Sequence, residues 1–147
     1  GVVAGRTDEI LVMYAGKIVE KAKTAEIFKS TEHPYTEALL RSIPKTDQPS
    51  HTRLAAIAGR PPTLIGITKG CSFSPRCPYA QERCFEEDPP LEETTPGHYT
   101  ACWHRVGTPE NQEAWDKNLA AGRLSTLAVE QGQIVDEVPL SVGPGDK

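Results

Sequence analysis

The stretch Cys71-Ser72-Phe73-Ser74-Pro75-Arg76-Cys77-Pro78-Tyr79-Ala80-Gln81-Glu82-Arg83-Cys84, completed by Ala101-Cys102, decides how this chain is read. Its four cysteines are spaced C-x5-C-x6-C-x17-C. Four sulfur ligands suffice to enclose a metal centre, and four thiolates around either Zn2+ or a [4Fe-4S] cube leave a net charge of about minus two. Lys69, Arg76, Arg83, His104 and Arg105 stand next to or near the cysteines, a pattern suited to offsetting that charge. Phe73, Tyr79, Phe85, Tyr99 and Trp103 interleave with the sulfurs and are expected to keep water away. The plainer alternative is a basic surface over an ordinary aromatic core.

An even cysteine count also permits two disulfides, as in small secreted domains. Gly1-Val2-Val3-Ala4-Gly5 runs at once into Arg6, Asp8 and Glu9, so no secretory signal is visible, and no apolar run approaches a membrane span. Reduced thiols and metal binding are therefore the expected use. Structural zinc sites usually pair ligands in C-x2-4-C knuckles, and no two cysteines here lie that close. Pro78 is suited to a first helical position, and Tyr79 to Arg83 is a helix-forming run. Such a helix would set the Cα atoms of Cys77 and Cys84 roughly 10 Å apart. Sulfurs sharing one zinc sit within roughly 4 Å of each other, so this spacing leans to the wider cube and leaves zinc open.

The flanking sequence reads as an α+β protein. Glu9 to Tyr14 and Lys17 to Glu20 are apolar, β-branched-rich runs joined at Ala15-Gly16, which predicts a hairpin. Thr24 is expected to cap a short helix through Lys29, and Pro34 to open another over Tyr35 to Ser42 with Tyr35, Ala38, Leu39 and Ser42 on one face. This first segment, 1–44, is too small to cover its own apolar faces and is expected to be the remnant of a larger domain. Thirteen prolines and twelve glycines in the chain predict a loop-rich middle, 45–105, ordered by its metal. The tail, 106–147, is expected to hold a helix from Asn111 to Leu127 with an apolar stripe at Trp115, Leu119, Ala120, Leu124 and Leu127. An edge strand between Gln133 and Val142, or disorder, would follow it. A net charge of −4 argues against nucleic acid as a partner.

A resemblance becomes specific along the first segment. Val2-Val3-Ala4, Asp8 and Val12-Met13-Tyr14-Ala15-Gly16-Lys17-Ile18-Val19-Glu20 are similar to the strand pair after the switch-histidine loop of ABC-transporter ATPase subunits. Ile27-Phe28, His33-Pro34-Tyr35-Thr36, Ala38-Leu39-Leu40, Ser42-Ile43-Pro44 and Ile57-Ala58-Gly59-Arg60-Pro61-Pro62 resemble the oligopeptide/dipeptide importer branch. Gly70-Cys71, Phe73, Pro75-Arg76-Cys77-Pro78, Cys84 and Ala101-Cys102-Trp103 match the C-terminal extension of that branch. The resemblance covers residues 2 to 104. It implies an importer powered by ATP hydrolysis, peripheral on the cytoplasmic face of the membrane, with two ATPase subunits on two membrane-spanning permease subunits. It also implies that Cys71, Cys77, Cys84 and Cys102 hold a [4Fe-4S] cluster.

The phosphate loop, Walker B strand and signature motif of such ATPases do not occur in this sequence. The switch histidine would lie upstream of Gly1, and His33, His51, His98 and His104 do not replace it. ATP and Mg2+ are expected only in the complete subunit, where the rest of the ATPase domain is the immediate partner. Two other classes compete with this reading. A free-standing zinc-binding adaptor would carry zinc, and a thiol-exchange enzyme would ordinarily require a C-x-x-C pair.

Overall fold

In this computed structural model the described residues are 3–43, 57 and 69–124. Strands β1 (Glu9–Tyr14) and β2 (Lys17–Lys23) form the expected antiparallel hairpin. Ala15 and Gly16 both have positive φ, 48° and 81°, the conformation of a two-residue turn whose twist matches that of the strands. Alternation sends Val12 and Tyr14 inward and leaves Leu11 and Met13 exposed. Helices α1 (Thr24–Lys29) and α2 (Pro34–Arg41) follow.

After the cysteine stretch, β3 (Glu92–Thr95) and β4 (His98–Thr100) form a second hairpin, turning at Gly97 with φ 80°. Strand β4 pairs with β2, which gives one antiparallel sheet in the order β1-β2-β4-β3. Sequence on both sides of residue 44 therefore contributes to a single ladder. Beyond it, α4 (Pro109–Ala120) is capped by Thr108, whose hydroxyl accepts from the Asn111 N–H, and stops before Gly122 at φ 64°.

Two apolar clusters hold these elements. In the first, Val12, Tyr14 and Val19 receive Phe73, which is 1% exposed, while Tyr35, Leu39, Cys71 and Cys77 pack around them. The Phe73 ring meets Tyr14 at 5.1 Å and Tyr35 at 5.3 Å between centroids, the edge-on and tilted contacts that aromatic quadrupoles favour. In the second cluster Tyr79 lies against Ala114 and Trp115.

Polar groups supply the remaining ties. Glu20, with no exposed surface, accepts hydrogen bonds from the backbone N–H groups of Glu32 (2.7 Å) and His33 (3.1 Å) and from the Thr31 hydroxyl. The same carboxylate meets His98 Nε2 at 2.8 Å, which links β2, the α1–α2 loop and β4. Glu32 in turn accepts from the hydroxyls of Thr94 and Thr100. Buried carboxylates are tolerated when they are satisfied in this way.

Several local expectations are corrected. Thr24 is the first residue of α1 and not its cap; its hydroxyl donates to the Thr7 carbonyl at 2.7 Å. The expected helix after Cys77 begins only at Glu82, as α3 (Glu82–Glu86). Pro75 instead opens a 3-10 turn, Ser74–Arg76, and Cys77 is held extended at ψ 121° as the residue before Pro78. The helical spacing argument for Cys77 and Cys84 thus loses its basis. In the tail, the buried face of α4 is Asn111, Ala114, Trp115 and Asn118, while Leu119 is exposed. The proposed strand between Gln133 and Val142 lies outside the described residues.

Candidate metal centre

The four cysteines reach one place from four pieces of backbone. Gly70 makes the first approach possible: a Cβ there would sit 2.3 Å from the Cys84 carbonyl oxygen and 2.6 Å from the Phe85 carbonyl carbon. Only glycine lets the two strands of chain close on each other, and the Cys71 N–H then donates to the Cys84 carbonyl at 2.8 Å. Cys77 ends the 3-10 turn, Cys84 sits in α3, and Cys102 lies two residues past the end of β4. The packing of Phe73 against the paired rings of Tyr14 and Tyr35 anchors the segment that carries Cys71 and Cys77.

All four are free thiols, and all four line a single cavity together with His33, Phe73, Tyr79, Trp103 and His104. Phe85 and Tyr99 do not line it. Phe85 is exposed, so the aromatic screen consists of Phe73, Tyr79 and Trp103. Among the described residues, no group of three or more His, Cys, Asp or Glu is arranged to hold a metal ion.

The electrostatics of the thiols agree with a shared enclosure. Burial pushes Cys77 well above its ordinary value, with the Cys102, Cys71 and Cys84 charges adding to the rise. Cys102 is pushed up to about 12, first by burial and then by Cys71, Cys84 and Glu20. Burial also raises Cys71 and Cys84. Backbone N–H groups oppose this: those of Phe73 and Ser74 at Cys71, Tyr79 at Cys77, Gln81 at Cys84 and His104 at Cys102. The Gln81 N–H reaches Cys84 Sγ at 3.5 Å.

The expected ring of basic side chains is only partly realised. Arg83 lowers Cys84, stacks on Trp103 at 3.5 Å from the ring centroid and pairs with Glu87. Arg76 donates to the Ile57 carbonyl. Relief of sulfur charge therefore falls largely to backbone dipoles, which residue identity does not reveal. These four thiols would be stable as thiolates together only around a cation or a cationic cluster, so the donor set fits such a group.

Two histidines line the cavity: His104, expected near the sulfurs from its place after Cys102, and His33, which the sequence reading did not bring to them. His33 caps α2: its Nδ1 accepts the Tyr35 N–H at 3.1 Å, and burial lowers its pKa to about 4, partly opposed by the Ala101 carbonyl. His33 Nε2 and His104 Nδ1 are buried without a hydrogen-bond partner. An orphaned buried polar atom costs about 1–3 kcal/mol. His33-Pro34 was the available signal, since Pro at a first helical position marks the preceding residue as a cap.

Helix α4 buttresses this region. Asn118 Nδ2 donates to the carbonyls of Pro78 (2.8 Å) and Ala80 (3.0 Å), and Gln81 Nε2 donates to Asn118 Oδ1 and the Ala114 carbonyl. Tyr79 reaches the other way, donating its hydroxyl to Glu37 of α2 at 2.9 Å.

Comparison with known proteins agrees with the hairpin, the helices and the cysteine segment together. Residues 19–84 match the family described as the oligopeptide/dipeptide transporter, C-terminal region. The chain is 47% identical over 105 residues to the oligopeptide transport ATP-binding protein OppD of Escherichia coli, covering 71% of this chain and 31% of that protein. It is 46% identical over 103 residues to the dipeptide transport ATP-binding protein DppD of Lactococcus lactis, covering 70% and 29%. With OppD of Bacillus subtilis it shares 40% over 126 residues, covering 82% and 35%. The chain belongs to the oligopeptide/dipeptide ABC transporter ATP-binding subunits and corresponds to their C-terminal portion. It spans about a third of the length of the curated relatives it matches.

Proposed function

We propose that this chain is the brace at the end of a peptide importer's ATP-hydrolysing subunit, held in shape by a [4Fe-4S] cluster on Cys71, Cys77, Cys84 and Cys102. The observation that carries the reading is the meeting of four cysteines, drawn from residues 71 to 102, around one cavity. Four sulfurs lining one cavity supply the donor set that such a cluster takes, and the C-x5-C-x6-C spacing lacks the close pairs usual at structural zinc sites. Bound there, the cluster would supply a dication-sized charge to four thiolates and tie together a segment of short elements.

The ATPase remnant (1–44) and the cysteine extension (45–105) would then act as one piece, since β4 hydrogen-bonds to β2 and Tyr79 to Glu37. The partners are the rest of the ATPase domain, a second ATPase subunit and the membrane-spanning permeases, placing the assembly on the cytoplasmic face of the membrane. Among the described residues no helix is long and apolar enough to cross a membrane. ATP and Mg2+ belong to the complete subunit, and the purified chain is expected to show no ATP turnover above background.

Anaerobic purification followed by metal and sulfide analysis tests the centre. About four iron and four sulfide per chain with a broad brown absorbance is the expected result. About one zinc per chain and no colour would replace this reading with the zinc-binding adaptor.

A further inference from the structure

We propose that His33 donates a hydrogen bond from Nε2 to a sulfur of the centre held by Cys71, Cys77, Cys84 and Cys102, and so sets its reduction potential. The inference rests on the four-cysteine reading above. His33 lies outside the cysteine segment, in the loop before α2, yet its ring lines the same cavity as the four thiols. It is 1% exposed. Because Nδ1 accepts the Tyr35 N–H, that nitrogen carries no proton, and the ring proton sits on Nε2. Nε2 is buried with no partner at hydrogen-bonding geometry; the Ala101 carbonyl lies close enough to the ring to favour its protonated form.

Capping alone does not call for this residue. Asp, Asn, Ser or Thr caps a helix with a short side chain, and none of those extends a donor as far from the cap as the distal imidazole nitrogen does. A donor aimed at sulfur explains why an imidazole stands here. The bond strengthens as the sulfurs gain negative charge, so it favours the reduced cluster and raises its potential. His33 is thus a positioning and tuning residue and not a ligand.

The test uses the complete 147-residue chain, loaded anaerobically with iron and sulfide. His33→Asn keeps an acceptor for the Tyr35 N–H and removes the distal donor. The ratio of reduced to oxidised cluster at a fixed applied potential is expected to fall about tenfold, equivalent to a midpoint about 59 mV lower. Iron content and far-UV circular dichroism should stay unchanged. A loaded His33→Asn chain with the wild-type midpoint overturns the proposal. If the wild-type chain binds no iron and sulfide, the four-cysteine reading fails first and this inference falls with it, a result distinct from an unmoved potential. Should His33→Asn fail to load, pulsed EPR of the reduced cluster in a His104→Gln chain labelled with 15N-histidine decides. A weak nitrogen coupling from His33 is expected, and its absence overturns the proposal.

Discussion

Residues 9–41 and residues 69–104 pack against each other but are held by different means. The first region is built from strands of six and seven residues and helices of six and eight, held by regular backbone ladders. In the second, the elements are a three-residue turn, a five-residue helix and strands of four and three. Elements that short are not stable alone. Phe73, the Gly70 approach and side-chain bonds from Asn118 and Gln81 give the second region its shape, and the cysteine cavity sits where these contacts meet. The first region draws its internal order from backbone ladders and borrows Phe73 and His98 to close its core, whereas the irregular segment depends on cross-links for its shape throughout.

The sharpest way to break this contrast is to remove a thiol. Cys77→Ser is expected to abolish nearly all bound iron and sulfide and to make 69–104 the first site of limited proteolysis, while 9–41 stays protected. Simultaneous cleavage in both regions would mean that the two are one cooperative unit. Next in size is Gly70→Ala, which forces backbone apart at the Cys84 carbonyl and is expected to cost about 3 kcal/mol, read by urea denaturation.

Acidification probes the seam between the regions. His33 in the metal-free folded chain takes a proton only near pH 4, while the unfolded chain takes one near the ordinary value of 6.5. Below about pH 6.5 the unfolded state therefore binds more protons, and stability falls until about pH 4, by on the order of 3 kcal/mol. Thermal melts at pH 7 and pH 5 check the direction, and His33→Asn should flatten the difference. The smallest expected change is Tyr79→Phe, which keeps the packing on Trp115 and loses the hydrogen bond to Glu37, costing about 1.5 kcal/mol by denaturant titration.

The same contrast governs what could be read from residues alone. The hairpin at Ala15-Gly16 and the helix behind Pro34 were legible because turn chemistry and proline act within a few positions. The path between Cys77 and Cys84 was not. Helix propensity over Tyr79 to Arg83 lost to Pro75, Pro78 and the contacts of Tyr79 with Trp115 and Glu37, which lie far away in sequence. The four cysteines themselves stood out by count and spacing. His33 did not, because its significance lies in a ring nitrogen left over after capping, and a neighbour-by-neighbour reading sees only the cap. Helix α4 was expected, as was the burial of Trp115, but Ala114 and Asn118 stand in the buried face where Leu119 and Ala120 were expected, since Asn118 bonds carbonyls of the cysteine segment.

The pairing of β2 with β4 has a consequence for biosynthesis. Glu20 and His98, which face each other across that seam, are 78 residues apart in the sequence. When the ribosome has delivered β2, the neighbour that seals its open side has not yet been made. The nascent chain therefore carries an unsealed sheet edge, exposed to wrong pairing, until the cysteine segment has emerged. Chains cut short before Thr100 would retain that edge, and they should be cleared or aggregate even though every residue of the hairpin is present.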